Sequence, residues 1–243
     1  MERTQVVRPV TPRTAVVWAA LRAEMEGRDV LTVLDVGGGT GGFAVPLAEA
    51  GHRVTVVDAS PDALAALTRR AVEAGVADRI TAVQGDGDRL AELAAPGSAD
   101  LILCHSLLEV VDDPVDVVAA LAATLRPGGA ASVLVANRAA AVLSRAMSGH
   151  LDTAVSTLAD PDGRIGAADK LRRRFDADGA AALLREAGLT VEAIHGVRVL
   201  ADLLPGAVAD DDPEALLAFE LAAAGRPPFR DIATQLHLYA RRP

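Results

Sequence analysis

Val33-Leu34-Asp35-Val36-Gly37-Gly38-Gly39-Thr40-Gly41-Gly42 is the stretch that decides the fold. A short apolar run ends abruptly in glycines, and a helical pattern from Phe43 to Ala50 follows and stops at Gly51. Glycines are needed where the chain turns sharply and a ligand must approach the backbone closely. The amides at the start of the new helix can face a polar or anionic group. Gly37, Gly39 and Gly42 satisfy G-x-G-x-x-G, the spacing of a nicotinamide or flavin site, so the turn taken alone is ambiguous. Asp58 ends the next apolar run, 21 residues beyond Gly37, where a carboxylate can accept hydrogen bonds from two ribose hydroxyls.

Outward from this unit, strand and helix patterns alternate. Before it, Val17, Leu21 and Met25 recur at helical spacing between Pro12 and Gly27. After it, Arg53 to Val57 reads as a strand, and Ser60 with Pro61 opens a helix that runs to about Ala74. Strands follow at Ile80 to Gln84, Ala99 to Cys104 and Ala130 to Val135, with a helix from Val115 to Leu125 before Pro127-Gly128-Gly129. Short connections between such elements call for a mostly parallel sheet covered by helices, an α/β fold. Residues 138–148 look helical, whereas 149–174 mix Asp, Gly, Pro and Arg and read as a variable insertion or lid. A helix at Asp176 to Ala187, a strand at Leu189 to Val199, a helix from Pro213 and a strand at Ile232 to Ala240 close a single domain over 1–243.

Composition narrows the classes. Of the 243 residues, 51% are hydrophobic and 23% charged, as expected of a soluble globular chain, and aromatics are only 2%, so stacked aromatic platforms are not expected. The net charge of -9 repels a polyanion unless a local basic patch exists. One cysteine, Cys104, excludes a disulfide framework, and its apolar neighbours suggest a buried, inert thiol. The sequence offers no metal cluster, membrane span or signal segment, so a cytoplasmic location is expected.

Three further features face the same end of the sheet. Asp86-Gly87-Asp88 follows the third strand, where a polar loop can meet an adenine amino group or lie in solvent. Asp35 precedes the turn and either orients it or contacts ligand. His105 stands at the C-terminal end of the fourth strand, where ligands of open α/β sheets bind. His195 and His237 have no ligand-like spacing.

VLDVGGGTG, VTVVDAS, the acidic loop after the third strand, LILCHSLLEVVDDP and LRPGG together resemble the class I S-adenosylmethionine-dependent methyltransferases over about residues 30 to 136. The resemblance implies a Rossmann-like, seven-stranded sheet with helices on both faces and a reversed last strand, S-adenosyl-L-methionine as cofactor, and demotion of the dehydrogenase alternative. RTAVVW, GVRVLADLL and QLHLYARRP extend the likeness to the bacterial tRNA 5-carboxymethoxyuridine methyltransferase family. Carried over, that family's cofactor arginine falls on Arg13 within a covering segment 1–29, its paired glycines on Gly37 and Gly38 beside Gly39, its ribose acid on Asp58, its adenine loop on Gly87 and Asp88, and its histidine on His105.

The family also implies tRNA as partner and a carboxylate as methyl acceptor. Such an acceptor is ionised at neutral pH and needs no general base, only a positioned cation. Arg198, interrupting an apolar strand, is the leading candidate, with Asn137 and Arg138 at the same rim. Arg172-Arg173-Arg174 either contact phosphates as part of a local basic patch or are solvated surface. The competing readings are a methyltransferase of a small carboxylate or phenolate metabolite, and a cofactor-binding protein without turnover.

Overall fold

A computed structural model describes residues 11–204 and 211–243; the first ten residues of the expected N-terminal covering segment lie outside them. Seven strands form one sheet in the order β3-β2-β1-β4-β5-β7-β6. They are β1 (Thr32–Val36), β2 (Arg53–Asp58), β3 (Ile80–Gln84), β4 (Ala99–His105), β5 (Leu125–Ala136), β6 (Thr190–Val197) and β7 (Gln235–Arg241). β1 to β5 run parallel, and β7 is antiparallel to both neighbours, so the last strand is reversed as expected.

The helices are α1 (Ala15–Met25), α2 (Ala44–Glu49), α3 (Pro61–Glu73), α4 (Leu90–Leu93), α5 (Pro114–Thr124), α6 (Arg138–Met147), α7 (Leu151–Ala159), α8 (Ala177–Glu186), α9 (Pro213–Ala223) and α10 (Phe229–Ile232). Their starts are written locally. Ser60, Asp113, Asp176 and Asp212 each cap a helix by accepting an amide hydrogen bond, and proline fills the first helical turn after three of them. In α3, Leu64, Leu67 and Ala71 recur on one face and are buried.

Side chains alternate across a strand, and β4 divides the core accordingly. Leu101 and Leu103 pack with α1, α2 and α3, whereas Ile102 and Cys104 pack with α5 and α8. This double burial explains the unbroken apolar run of β4, each large side chain contributing about 1.5–3 kcal/mol.

Several boundaries differ from the sequence expectation, among them β7, which starts at Gln235 because Phe229–Ile232 is helical. β5 starts at Leu125, because Leu125 pairs with Ala99 before a register shift at the Pro-Gly-Gly corner. β6 stops at Val197, because Arg198 turns into the left-handed region at φ 60°. Within 149–174, Leu151–Ala159 is a helix packed on α6, which the sparse local pattern concealed.

Candidate active site

The glycine turn leaves β1 with left-handed backbone at Gly37 (φ 72°) and Gly39 (φ 55°). Gly38 is sterically demanded: a Cβ there would lie 2.5 Å from Asp35 Oδ2 and 2.9 Å from Val56 Cγ1. Asp58 locks the turn from β2, accepting from the Gly39 amide at 2.8 Å and the Ser60 amide at 2.9 Å. A carboxylate has about four lone-pair sites, so acceptor capacity remains. Asp35 is buried beneath, and its carboxyl is pushed up to about 7 by burial and by the charge of Asp58. Its carboxyl lies against Gly38 of the turn, and it is not among the residues lining the cleft.

A cleft of about 320 Å³ opens above, lined by Gly37, Asp58, Gly85 to Asp88, Leu107, Val110 to Asp112 and Arg172. Gly87 is buried, and a Cβ on it would meet Leu107 Cδ2 at 3.0 Å, so the wall is closely fitted. Asp88 closes the far side by accepting from the Asp112 amide at 3.2 Å. Bare backbone, an acid with spare lone pairs and an apolar leucine suit a nucleoside with vicinal hydroxyls. Of the cofactor residues expected from sequence, Gly37, Asp58, Gly87 and Asp88 line this cleft, and Gly38 and Gly39 belong to its turn.

His105 lies beyond the glycine turn, against Phe43 at 4.7 Å between ring centroids, and Phe43 in turn stacks on Trp18 at 5.1 Å. Burial holds the His105 imidazole at about 3, so it is neutral. Its Nε2 meets Ser132 Oγ at 2.9 Å, and its buried Nδ1 has no protein partner among the described residues. Behind it a polar row crosses the sheet: Ser132 Oγ meets His237 Nε2 at 2.8 Å, and His237 stacks on His195. Sequence reading left these two histidines unplaced. Their alignment needs the β5-β7-β6 pairing, which no local pattern reveals.

The rim beyond β5 carries Arg198, whose Nη1 lies 3.2 Å from Asp202 Oδ2, while Arg13 Nη1 reaches Asp202 Oδ1 at 2.9 Å. The two arginines predicted separately are thus brought to one acid that sequence reading did not single out. Its signal was the i,i+4 spacing of Arg198 and Asp202. Gln235 Nε2 donates to Ser106 Oγ at 3.0 Å across the same rim. Ser106 and Arg198 are the non-glycine residues with positive φ among the described residues, a strain that collects at functional edges.

One expectation is corrected by the geometry, and one open alternative is narrowed. Asn137 is buried, and its amide is spent on structure: Nδ2 donates to Asp231 O at 2.9 Å and Ala233 O at 2.7 Å, and Oδ1 caps α6 at Ala139 N. It fixes the corner at the rim instead of offering a group to substrate. Nor is Arg172 to Arg174 a displayed basic patch. Arg173 donates to the carbonyls of Leu108, Val111 and Asp112, and Arg174 pairs at 2.5 Å with Asp169, each of that pair under a tenth exposed. Burial alone would raise Asp169, but Arg174 and the amides of Ile165 and Leu171 bring it down to about 2. Only Arg172 stays exposed, and it pairs with Asp112 at 2.7 Å. Glu109, also unassigned from sequence, is buried, accepts from the Ala136 amide at 3.1 Å and ties the loop after β4 to β5, while its Oε2 is unpartnered and burial pushes its carboxyl up.

Among the described residues no helix is long and apolar enough to cross a membrane, and no group of histidine, cysteine and acidic side chains is arranged to hold a metal.

Comparison with known proteins places this geometry. A methyltransferase-domain family matches residues 33–129, which hold the glycine turn, Asp58 and His105. The tRNA 5-carboxymethoxyuridine methyltransferase of Escherichia coli (strain K12) is 33% identical over 236 residues, covering 95% of this chain and 88% of that protein. A ubiquinone biosynthesis O-methyltransferase of Xylella fastidiosa (strain 9a5c) is 37% identical over 168 residues, 68% of this chain and 63% of that one. In fold, an S-adenosylmethionine-dependent methyltransferase from Mesorhizobium loti superposes with a TM-score of 0.61 at 20% identity, over 93% of this chain and 98% of the other. With its strand order, its glycine turn and a relative matched over nearly its full length, the chain belongs to the S-adenosylmethionine-dependent methyltransferases.

Proposed function

We propose that the protein methylates the carboxylate of a 5-carboxymethoxyuridine-type nucleoside in the tRNA of the cytoplasm. The observation that carries this reading is the near-full-length relationship to the Escherichia coli tRNA enzyme, joined to a rim that carries Arg198 in an ion pair with Asp202. S-adenosylmethionine supplies a methyl group on a positively charged sulfur, already activated for displacement. An ionised carboxylate has no proton to lose, so the chain's work is binding, orientation and exclusion of water.

In this reading Asp58 receives the ribose hydroxyls, and the Gly37–Gly39 turn admits the adenosyl group against bare backbone. Gly87 and Asp88 flank the adenine, and Arg13 pairs with the amino-acid carboxylate. His105, being neutral, adds no charge near the reacting centre and offers its unpartnered Nδ1 as a hydrogen-bonding group. Arg198 pairs with the acceptor carboxylate through a guanidinium fork that matches its geometry. Ser106 and Gln235 supply polar edges for the base.

A second reading, methylation of a small metabolite, is favoured by the cavity of about 590 Å³ formed by the 160–173 loop, whose lining sets Asp160, Asp162 and Asp169 beside Arg164, Arg172 and Arg173. Methyl incorporation from labelled S-adenosylmethionine, run in parallel on a total tRNA fraction and a small-metabolite extract, separates the two. The expected result is a base-labile methyl ester in tRNA nucleosides. Label confined to small molecules overturns the tRNA reading, and label in neither overturns both.

A further inference from the structure

The loop after β6 is a built device. Glu220 of α9 is fully buried and has no cationic partner among the described residues. Its carboxylate instead accepts three successive amides, Val199 at 2.8 Å and Leu200 and Ala201 at 2.9 Å each. A buried carboxylate is costly unless hydrogen-bonded, so this clamp commits the turn to one conformation. The clamp holds Arg198 at φ 60°, its carbonyl accepting from the Thr234 amide at 3.2 Å, and sets Asp202 one turn further on. Asp202 then gives one oxygen to each guanidinium, Oδ1 to Arg13 and Oδ2 to Arg198.

Two cations and one anion leave a net charge of +1. Without the anion, two guanidiniums drawn to one point would repel each other. With it, each arginine spends one N–H on Asp202 and keeps others of its five donors for an incoming carboxylate. From this arrangement we infer that Asp202 is a positioning residue that couples the methyl-donor site to the acceptor site, holding Arg13 and Arg198 in register through a single carboxylate. The inference rests on the reading in which Arg13 serves the cofactor and Arg198 the acceptor. It adds that neither arginine is set independently. The donor's amino-acid carboxylate and the acceptor's carboxylate would then be bound by one three-residue unit.

The test uses Asp202→Asn, Asp202→Glu and Arg198→Ala in the full-length chain. Calorimetry without acceptor is expected to show cofactor affinity about 5- to 10-fold weaker in Asp202→Asn, the lower range of a coupling between sites. The acceptor KM rises by a similar factor while kcat at saturation stays within about twofold, and Asp202→Glu restores part of both. The diagnostic measurement is a cycle. Arg198→Ala, although assigned to the acceptor, weakens cofactor binding in the wild-type background and has no such effect once Asp202→Asn is present. Cofactor affinity unchanged in Asp202→Asn, or an Arg198→Ala effect of equal size in both backgrounds, overturns the coupling. If wild-type protein places no methyl on tRNA, the acceptor assignment falls, and the cofactor arms of the cycle still decide the role of Asp202.

Discussion

The two halves of the rim are built on different principles. On the side of β1, β2 and β3 with β4, the site is made of backbone: glycines that admit no side chain, and one aspartate held by two amides. On the side of β5, β7 and β6, it is made of charged side chains held by other side chains, with Asp202 between two arginines and Asp169 under Arg174. The outer covering of that second side is also loosely seated: α6 buries no residue, and Met147, Leu151, Val155 and Leu158 each stand more than 60% exposed. A ligand common to a whole family can be met by a fixed backbone mould. An acceptor that varies among relatives, one named for tRNA and another for ubiquinone biosynthesis, requires parts that change by substitution without refolding the sheet.

The sharpest way to break this contrast is at Gly38. Gly38→Ala drives a methyl group into the Asp35 carboxyl and Val56, both fixed in the core, and is expected to cost about 3 kcal/mol in stability. It also distorts the turn, so cofactor affinity should fall by roughly tenfold or more. Thermal melts with calorimetry check both, and a variant that melts and binds like wild type would show that the mould is not rigid.

Asp35 provides the next test, smaller in size. Its carboxyl is held at about 7 against an ordinary 3.8, so the folded chain keeps a proton that the unfolded chain has lost between those two values. Stability contributed here is therefore present at low pH, declines as pH rises from about 4 to 7, and stays low above. Asp35→Asn removes the penalty and should stabilise the protein by on the order of 2 kcal/mol at pH 8, with the gain vanishing near pH 4. Melting curves across that range check the sign; a gain that is flat with pH would refute the assignment.

The smallest effect belongs to the outer covering. Met147→Gln and Val155→Thr should each change stability by less than about 0.5 kcal/mol, since neither side chain is covered. A loss above roughly 1 kcal/mol in chemical denaturation would mean that these apolar faces are buried against something in solution.

The same contrast explains what was legible in the sequence. The first half is written in short-range signals: a strand, a glycine turn, an acid at the next strand's tip, a cap at Ser60. Each could be assigned before any contact was known. The second half is written in long-range pairings. Nothing near Asn137 announces that its amide will be consumed by carbonyls from 231 and 233, and nothing in Arg172 to Arg174 distinguishes the exposed guanidinium from the two turned inward. Asp202, Glu220 and the row from His105 to His195 are likewise products of topology. Glu220 lies in an ordinary stretch of sequence, and Asp202, although spaced i,i+4 from Arg198, gives no local sign of Arg13, which the fold alone brings to it.

The placement of β7 has a consequence for how the chain is made. Among the described residues β6 pairs with no strand except β7, and β7 begins 38 residues after β6 ends. A ribosome therefore delivers β6 well ahead of its only neighbour, and β5 waits longer still with one side open. Until β7 inserts, both present unpaired amides and carbonyls to whatever strand is nearby, the state in which nascent chains misassemble. The half of the molecule that carries Arg198 and Asp202 is thus also the half that a translating cell must protect longest.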